Sequence, residues 1–265
     1  MVSRLTVLAV GQSNMAGFYG PALAPPSHDQ VVRAWDWHSA KWVTATLGRR
    51  PFRSAIGGGP AHNLAYEAAQ QLAAQAKINV DVALFASNNK RVEYFLPNSV
   101  LRARGWANNQ TDRDFGTSLS DEILGYSGSG RQALDACDCP CFDVVLDHQG
   151  EANAGDTAQE FAAKKIAFIS ELRTRRLIRS DAQIILGCIN PSYGAWAVTH
   201  ANALQLIAAN DAHVHVVRWE GVEDVRSITG EDNHHATGKG LAQLGRAYAG
   251  LAIDVIFEHQ GWRPR

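Results

Sequence analysis

Short apolar runs separated by longer amphipathic stretches recur along the whole chain, and this alternation narrows the fold more than any other feature. The runs are Leu5–Val10, Val31–Trp35, Val80–Ala86, Phe142–Asp147, Gln183–Ile189 and His213–Trp219. Each is dominated by β-branched or other apolar residues, the pattern of strands covered on both faces. Between them helices are expected over Pro60–Ala76, where the proline suits a first turn, and over Ala195–Asn210 and Thr237–Ile253. A fourth is expected over Thr157–Leu177, with Phe161, Ile166, Ile169 and Leu172 near one face. Such an order implies the α/β class, with a mainly parallel central sheet and helices on both sides. No internal repeat or low-complexity linker interrupts it. Residues 88–130, rich in Asn, Gly, Ser and Arg, read as loops plus a short helix, so a single domain is expected over residues 1–265.

Composition excludes several function classes. The 25 basic and 26 acidic residues leave a formal net charge of −1, and Lys and Arg are scattered rather than clustered. A nucleic-acid or anionic-membrane surface needs a concentrated basic face, so neither partner is expected. No apolar run approaches the ~18 residues of a membrane span. The opening MVSRLTVLAVGQSN reads as a first strand rather than a signal peptide, because its apolar stretch is short and no small-residue cleavage site follows. The cysteines at 137, 139 and 141 have one-residue gaps, which fit neither the usual zinc spacing nor pairing with one another. Reduced structural thiols are expected there and at Cys188, which fits a cytoplasmic compartment; secretion or particle association stays open.

In open parallel sheets ligands bind beyond the carboxyl ends of the strands. Three polar clusters fall at that edge: Gly11-Gln12-Ser13-Asn14 after the first strand, His148-Gln149-Gly150-Glu151-Ala152-Asn153 after Phe142–Asp147, and Glu231-Asp232-Asn233-His234-His235 after the last strand. A serine hydroxyl is a weak nucleophile that needs an adjacent histidine, and that histidine needs a carboxylate to orient it. Asp232 and His235 are three residues apart, so one turn of chain brings the carboxylate to Nδ1 and leaves Nε2 for Ser13. An acyl-transfer site also needs donors for the developing oxyanion. The Ser13 N–H is one candidate and the backbone of Gly59, in IGGGPAHN, a second; Gln149 or Asn153 can supply an amide.

GQSNMAG, the Gly-Pro before a helix, QGEAN after a strand and DNHH before the C-terminal helix together resemble the SGNH hydrolase superfamily. More narrowly they are similar to its sialate O-acetylesterase and acetylxylan esterase branch, from about Leu5 to Ala252. The resemblance implies a three-layer α/β/α sandwich and hydrolysis of acetyl esters on sugars without metal or cofactor. Carried over by position, it makes Ser13 the nucleophile, Gly59 the second-block glycine, and Asp232 and His235 the terminal D-x-x-H. It gives Gln149 the oxyanion role, with Asn153 as fallback. Gln12, Asn14 and Glu151 are then candidates for the substrate pocket. So are Asn88 and Asn89, which stand where related esterases often carry a Gly-Gly-Thr-like stretch. The expected substrate is an acetylated carbohydrate. A lipase- or thioesterase-type member acting on other acyl groups, and an inactive carbohydrate-binding homologue, are the alternatives.

Each of these residues also has an ordinary reading. Ser13 is a turn serine on position alone, and Asp232 a helix cap. Gly57-Gly58-Gly59 is a flexible turn as readily as a site; it makes no dinucleotide fingerprint, because no strand precedes it. His234 competes with His235 for the base. His213 and His215 share a strand face and read as a structural pair rather than metal ligands. Glu151 fits a pocket-organising hydrogen bond as well as a catalytic role, and Trp106 and Trp196 fit either sugar stacking or the core. Met15 stands where a G-x-S-x-G elbow requires glycine, which excludes an α/β-hydrolase frame for Ser13.

Overall fold

The computed structural model describes residues 4–17, 24–52, 63–106, 118–222 and 235–258. Seven strands form one sheet: β1 Arg4–Gly11, β2 Val32–Asp36, β3 Lys41–Thr44, β4 Asn79–Ala86, β5 Phe142–His148, β6 Ile178–Gly187 and β7 Val214–Val217. Their order is β3-β2-β4-β1-β5-β6-β7. Every pairing is parallel except β2 with β3. The main helices are α2 Leu64–Ala76, α6 Ala158–Thr174, α7 Ala195–Asn210 and α8 Gly238–Ile253. Four short ones are α1 Ser13–Ala16, α3 Asn98–Ala103, α4 Leu119–Leu124 and α5 Ser129–Ala136.

The central strands divide their side chains between two apolar cores. Leu8 and Val10 of β1 join Val145, Ile184 and Leu186 with Phe161 and Phe168 of α6 and Leu204 of α7. Their neighbours Leu5, Val7 and Ala9 turn the other way, to Val144, Leu146 and Ile185, with Leu72 of α2 and Leu244 and Tyr248 of α8. The period of two along a strand forces this division, and it explains why the runs lack polar alternation. Each such aliphatic residue contributes about 1.5–3 kcal/mol relative to an exposed position. None of the described helices is long and apolar enough to cross a membrane.

Several boundaries differ from expectation for identifiable reasons. β6 starts at Ile178, because Ile178 pairs with Phe142 before a register shift, although the exposed Arg179-Ser180-Asp181 hides this from pattern reading. β3 is half-exposed and too polar to show as a run; it is held by a Trp35–Trp42 edge contact at 5.5 Å. Ile166 is 44% exposed rather than in the core. At 100° per residue it lies about 140° from Phe161, whereas Lys165, Phe168 and Leu172 fall on the Phe161 stripe. Residues 88–130 hold more helix than expected: α3, α4 and the start of α5, besides a 3-10 turn at Val92–Phe95. These segments bury Leu101, Leu119, Ile123 and Leu134, but each is too short to display a period. The helix expected from Pro60 begins instead at Leu64, capped by Asn63, whose Oδ1 accepts the Tyr66 N–H at 2.9 Å; Pro60 itself lies outside the described residues.

Candidate active site

Chain order reverses around β1. From β1 the chain builds β2, β3 and β4 on one side, then crosses to β5 on the other and continues outward to β7. The crevice beyond the carboxyl ends of β1 and β5 is therefore the topological switch point, where open α/β sheets bind ligands. Gly11 ends β1 and pairs with His148 on one side and Ala86 on the other. A Cβ on Gly11 would collide with His148 O and approach Met15 Cβ to 2.7 Å, so only glycine lets the two strand ends lie this close. The chain then turns at Gln12, whose N–H donates to His148 O at 3.2 Å, and Ser13 opens α1. At that position its N–H has no carbonyl one turn earlier in the helix to bind. Asn63 Nδ2 donates to Ala16 O at 2.7 Å and so ties the start of α2 to the end of α1.

The segment after β5 is fixed from several sides. Four successive carbonyls each meet a donor from elsewhere: Asp147 O the Tyr248 hydroxyl at 2.8 Å, His148 O the Gln12 N–H, Gln149 O the His200 Nε2–H at 3.1 Å, and Gly150 O the Trp196 indole at 3.0 Å. Gly150 has φ 154°, a left-handed value that favours glycine. The Gln149 amide donates to Lys90 O at 3.0 Å and Asn153 Oδ1 at 3.1 Å, which engages both of its hydrogens. Asn153 Nδ2 in turn donates to Glu93 and Asp156, and its Oδ1 also accepts the Val92 N–H. Lys164 pairs with Glu93 and Asp156 at 2.7 Å each, and together with Arg91, which pairs with both at 3.3 and 2.7 Å, it balances the charge of this corner. Burial is the largest single effect on the Glu93 carboxyl and acts to raise it, but hydrogen bonds from Lys164, the backbone and Asn153 and the Lys164 charge together outweigh it and hold the carboxyl below its usual range.

Behind the segment lies a buried polar layer. Tyr248 uses its one proton on Asp147 O, so His148 Nδ1 is the donor in the 3.1 Å bond to the Tyr248 oxygen. That leaves the His148 Nε2 lone pair 3.8 Å from Glu151 Oε1. Burial, with His200 and Lys165 nearby, lowers the His148 pKa to about 3. Burial lowers that of His200 to about 3 as well. Both rings are neutral props. Lys165 Nζ, fully buried, meets Asp147 Oδ2 at 2.5 Å. Burial pulls Lys165 down and Asp147 up, while their mutual attraction opposes both shifts. Burial likewise raises the Glu151 carboxyl to about 7, against hydrogen bonds from the 150–151 backbone and Asn14.

Asn14 joins the first polar cluster to the second and to the residue that follows the third. Its Nδ2 donates to Glu151 Oε1 at 3.2 Å, and its Oδ1 accepts the Ala236 N–H at 3.0 Å. The structure thus brings together Gln12, Ser13, Asn14, Gln149, Glu151, Asn153 and the backbone beside His235. Asn88 and Asn89 follow β4, the strand on the far side of β1, and Asn89 takes a left-handed φ of 54°. Asp232, His234 and Gly59 lie outside the described residues. Trp196 is core, packed on Phe161 at 5.8 Å, and Trp106 is half-buried with Arg104 over its ring. His213 and His215 both bond Gln183, at 3.1 and 2.7 Å. Sequence reading missed Lys165, His200 and Tyr248. Lys165 alone left a signal, a lysine on the apolar stripe of α6.

The fold is shared with solved structures of low sequence identity. An Arabidopsis thaliana protein superposes with a TM-score of 0.69 at 17% identity, over 96% of this chain and 99% of that one. A carbohydrate acetylesterase from Xanthomonas citri gives 0.62 at 15%, over 96% of this chain, which spans 57% of the longer protein. NanS gives 0.59 at 14%, over 97% and 98%. No protein-family model and no curated protein matches the sequence. These likenesses define the class: an α/β fold with a mostly parallel sheet of the kind carbohydrate esterases are built on.

Proposed function

We propose that this chain is a serine esterase of the SGNH type, a three-layer α/β/α sandwich that removes O-acetyl groups from carbohydrates. The observation that carries the reading is the bond from Ala236 N–H to Asn14 Oδ1, between residues 222 apart. It sets the residue after His235 against the residue after Ser13, at the switch point of the sheet. Among the described residues, His148 and His200, the other histidines of this region, are buried with lowered pKa values and bonded to Tyr248 and Gln149 O. They are unsuited to act as a base, which supports placing the base in the 234–235 pair; the D-x-x-H register selects His235.

Ser13 Oγ attacks the acetyl carbonyl while His235 takes its proton, and Asp232 orients the imidazole and supports its charge. The Ser13 and Gly59 N–H groups stabilise the oxyanion, joined by Gln149, which exchanges its bond to Lys90 O for one to the oxyanion as substrate enters. Collapse expels the sugar oxygen with the proton from His235 and leaves an acetyl-enzyme. Water, deprotonated by His235, then releases acetate and restores Ser13. The fold partner from Xanthomonas citri, a carbohydrate acetylesterase, supports the choice of acyl group and alcohol.

The test is acetate release from a panel of acetylated glycans and from p-nitrophenyl acetate. The Ser13→Ala variant is expected to lose about 10³-fold or more in kcat. Near-wild-type turnover by that variant, or failure of a fluorophosphonate to label Ser13 in the native protein, would refute the mechanism.

A further inference from the structure

Asn14 is buried, and each end of its side chain is committed to a different part of the site. We propose that Asn14 is the positioning residue that sets His235 against Ser13, and that Glu151 is the group that keeps Asn14 oriented. The inference rests on the Ser13–His235 reading above. Ala236 N–H can only donate, so the Asn14 atom 3.0 Å away is the oxygen and the nitrogen faces Glu151 Oε1 at 3.2 Å. Rotating the amide by half a turn would put N–H against N–H and oxygen against carboxyl. Glu151 and Ala236 therefore select one orientation between them. The bond to Glu151 also survives protonation of that carboxyl at its other oxygen, because Oε1 still accepts.

The chain directly after His235 is held twice. Ala236 is docked on Asn14. Thr237 then caps α8, its side chain accepting the Gly240 N–H at 3.0 Å while its carbonyl accepts Leu241 N–H at 2.8 Å. Successive Cα atoms are about 3.8 Å apart, so a residue between a docked amide and the preceding chain inherits the position of that amide to within a short arc. A serine–histidine pair is sensitive to displacements of that size.

The test combines kinetics, stability and amide exchange on the whole chain. Asn14→Ala is expected to lower kcat about 10- to 100-fold with KM held within about twofold. Fluorophosphonate labelling of Ser13 should slow in parallel, and hydrogen exchange in the 235–237 peptide should accelerate. Asn14→Asp alone places a carboxylate against Glu151 and is expected to be as damaging. Combined with Glu151→Gln it reverses the direction of the hydrogen bond, with the new amide donating and the new carboxylate still accepting Ala236 N–H. That double variant is expected to recover kcat to within about threefold of wild type. A purely structural role predicts a lower melting temperature without the kcat–KM split and without the reversal. Wild-type kcat and wild-type exchange in Asn14→Ala would overturn the proposal; if that variant does not fold, absence of recovery in the double variant does so. An inactive Ser13→Ala beside a fully active Asn14→Ala defeats only this inference, whereas an active Ser13→Ala defeats the esterase reading and this one with it.

Discussion

Substituting Gly150 by alanine should unfold the loop that carries Gln149 and Glu151. A Cβ at this residue would overlap His200 Nε2 and Cδ2 and lie 3.3 Å from Cε1. His200 is fully buried and its Nε2 is bonded to Gln149 O at 3.1 Å, so the ring has no free space to enter without losing that bond. Holding an L-residue at φ 154° adds about 1–3 kcal/mol of backbone strain. Overpacking a filled core adds about 1–3 kcal/mol, and a lost hydrogen bond about 1 kcal/mol. Gly150→Ala is therefore expected to destabilise by about 3–7 kcal/mol, a large share of the roughly 5–15 kcal/mol that holds a domain folded. Urea denaturation with linear extrapolation measures it. Removing the ring in the double variant Gly150→Ala/His200→Ala relieves the overlap and leaves the strain, so the double loss should fall short of the summed single losses by about 1–3 kcal/mol. A single-variant loss under about 1 kcal/mol, or strict additivity, would show that the two residues do not meet as described.

Two further outcomes follow from the buried charges. Glu151 ionises near 7 in the folded chain against an ordinary value of 4.5. Its unfolded form loses the proton first, so wild-type stability should fall as pH rises through that window, by roughly 3 kcal/mol in all. Glu151→Gln cannot ionise and should flatten this slope; parallel stability–pH curves for the two proteins would contradict the assignment. Lys165→Ala strands the Asp147 carboxylate at full burial and should cost about 3–5 kcal/mol by chemical denaturation, whereas replacing both partners together by apolar residues of similar size should cost much less.

The parts of the fold that were legible in the sequence are those where burial on two faces leaves an unbroken mark. β1, β4 and β5 are such strands, and they were placed to within one residue at either end. β3 was invisible because Lys41-Trp42-Val43-Thr44 is an edge strand with half its surface in water. The apolar spacing of α6 predicts a buried face on which Phe161, Ile169 and Leu172 do lie. Ile166 instead faces outward, and Lys165 takes a place inside, where Asp147 makes it tolerable. The first two polar clusters were legible because both follow strands that end at one edge of a parallel sheet; a serine there is by itself an ordinary turn residue. The residues that hold those clusters were not. His200, Trp196 and Tyr248 sit on helices among apolar neighbours, and only the folded chain shows that each aims a donor at the 147–150 backbone.

That arrangement answers a problem set by the end of β5. Beyond His148 the ladder gives out, yet the chain stays buried, and each buried carbonyl must still find a donor. Tyr248 comes from α8, Gln12 from the β1 turn, and His200 and Trp196 from α7, so the backbone at 147–150 is fixed by three separate parts of the chain. A ring that took up a second proton at neutral pH would bring charge into this layer; the lowered pKa values of His148 and His200 keep both rings neutral while each still supplies one N–H. Such over-determination makes the Gln149–Glu151 backbone the fixed reference of the site. The Ala236 side is joined to it by the Asn14 side chain, bonded once at each end. The QGE backbone is thus anchored by many bonds, and the 235–236 backbone is tied to it through Asn14. Substitutions behind the loop should register first in stability, and substitutions at Asn14 first in turnover.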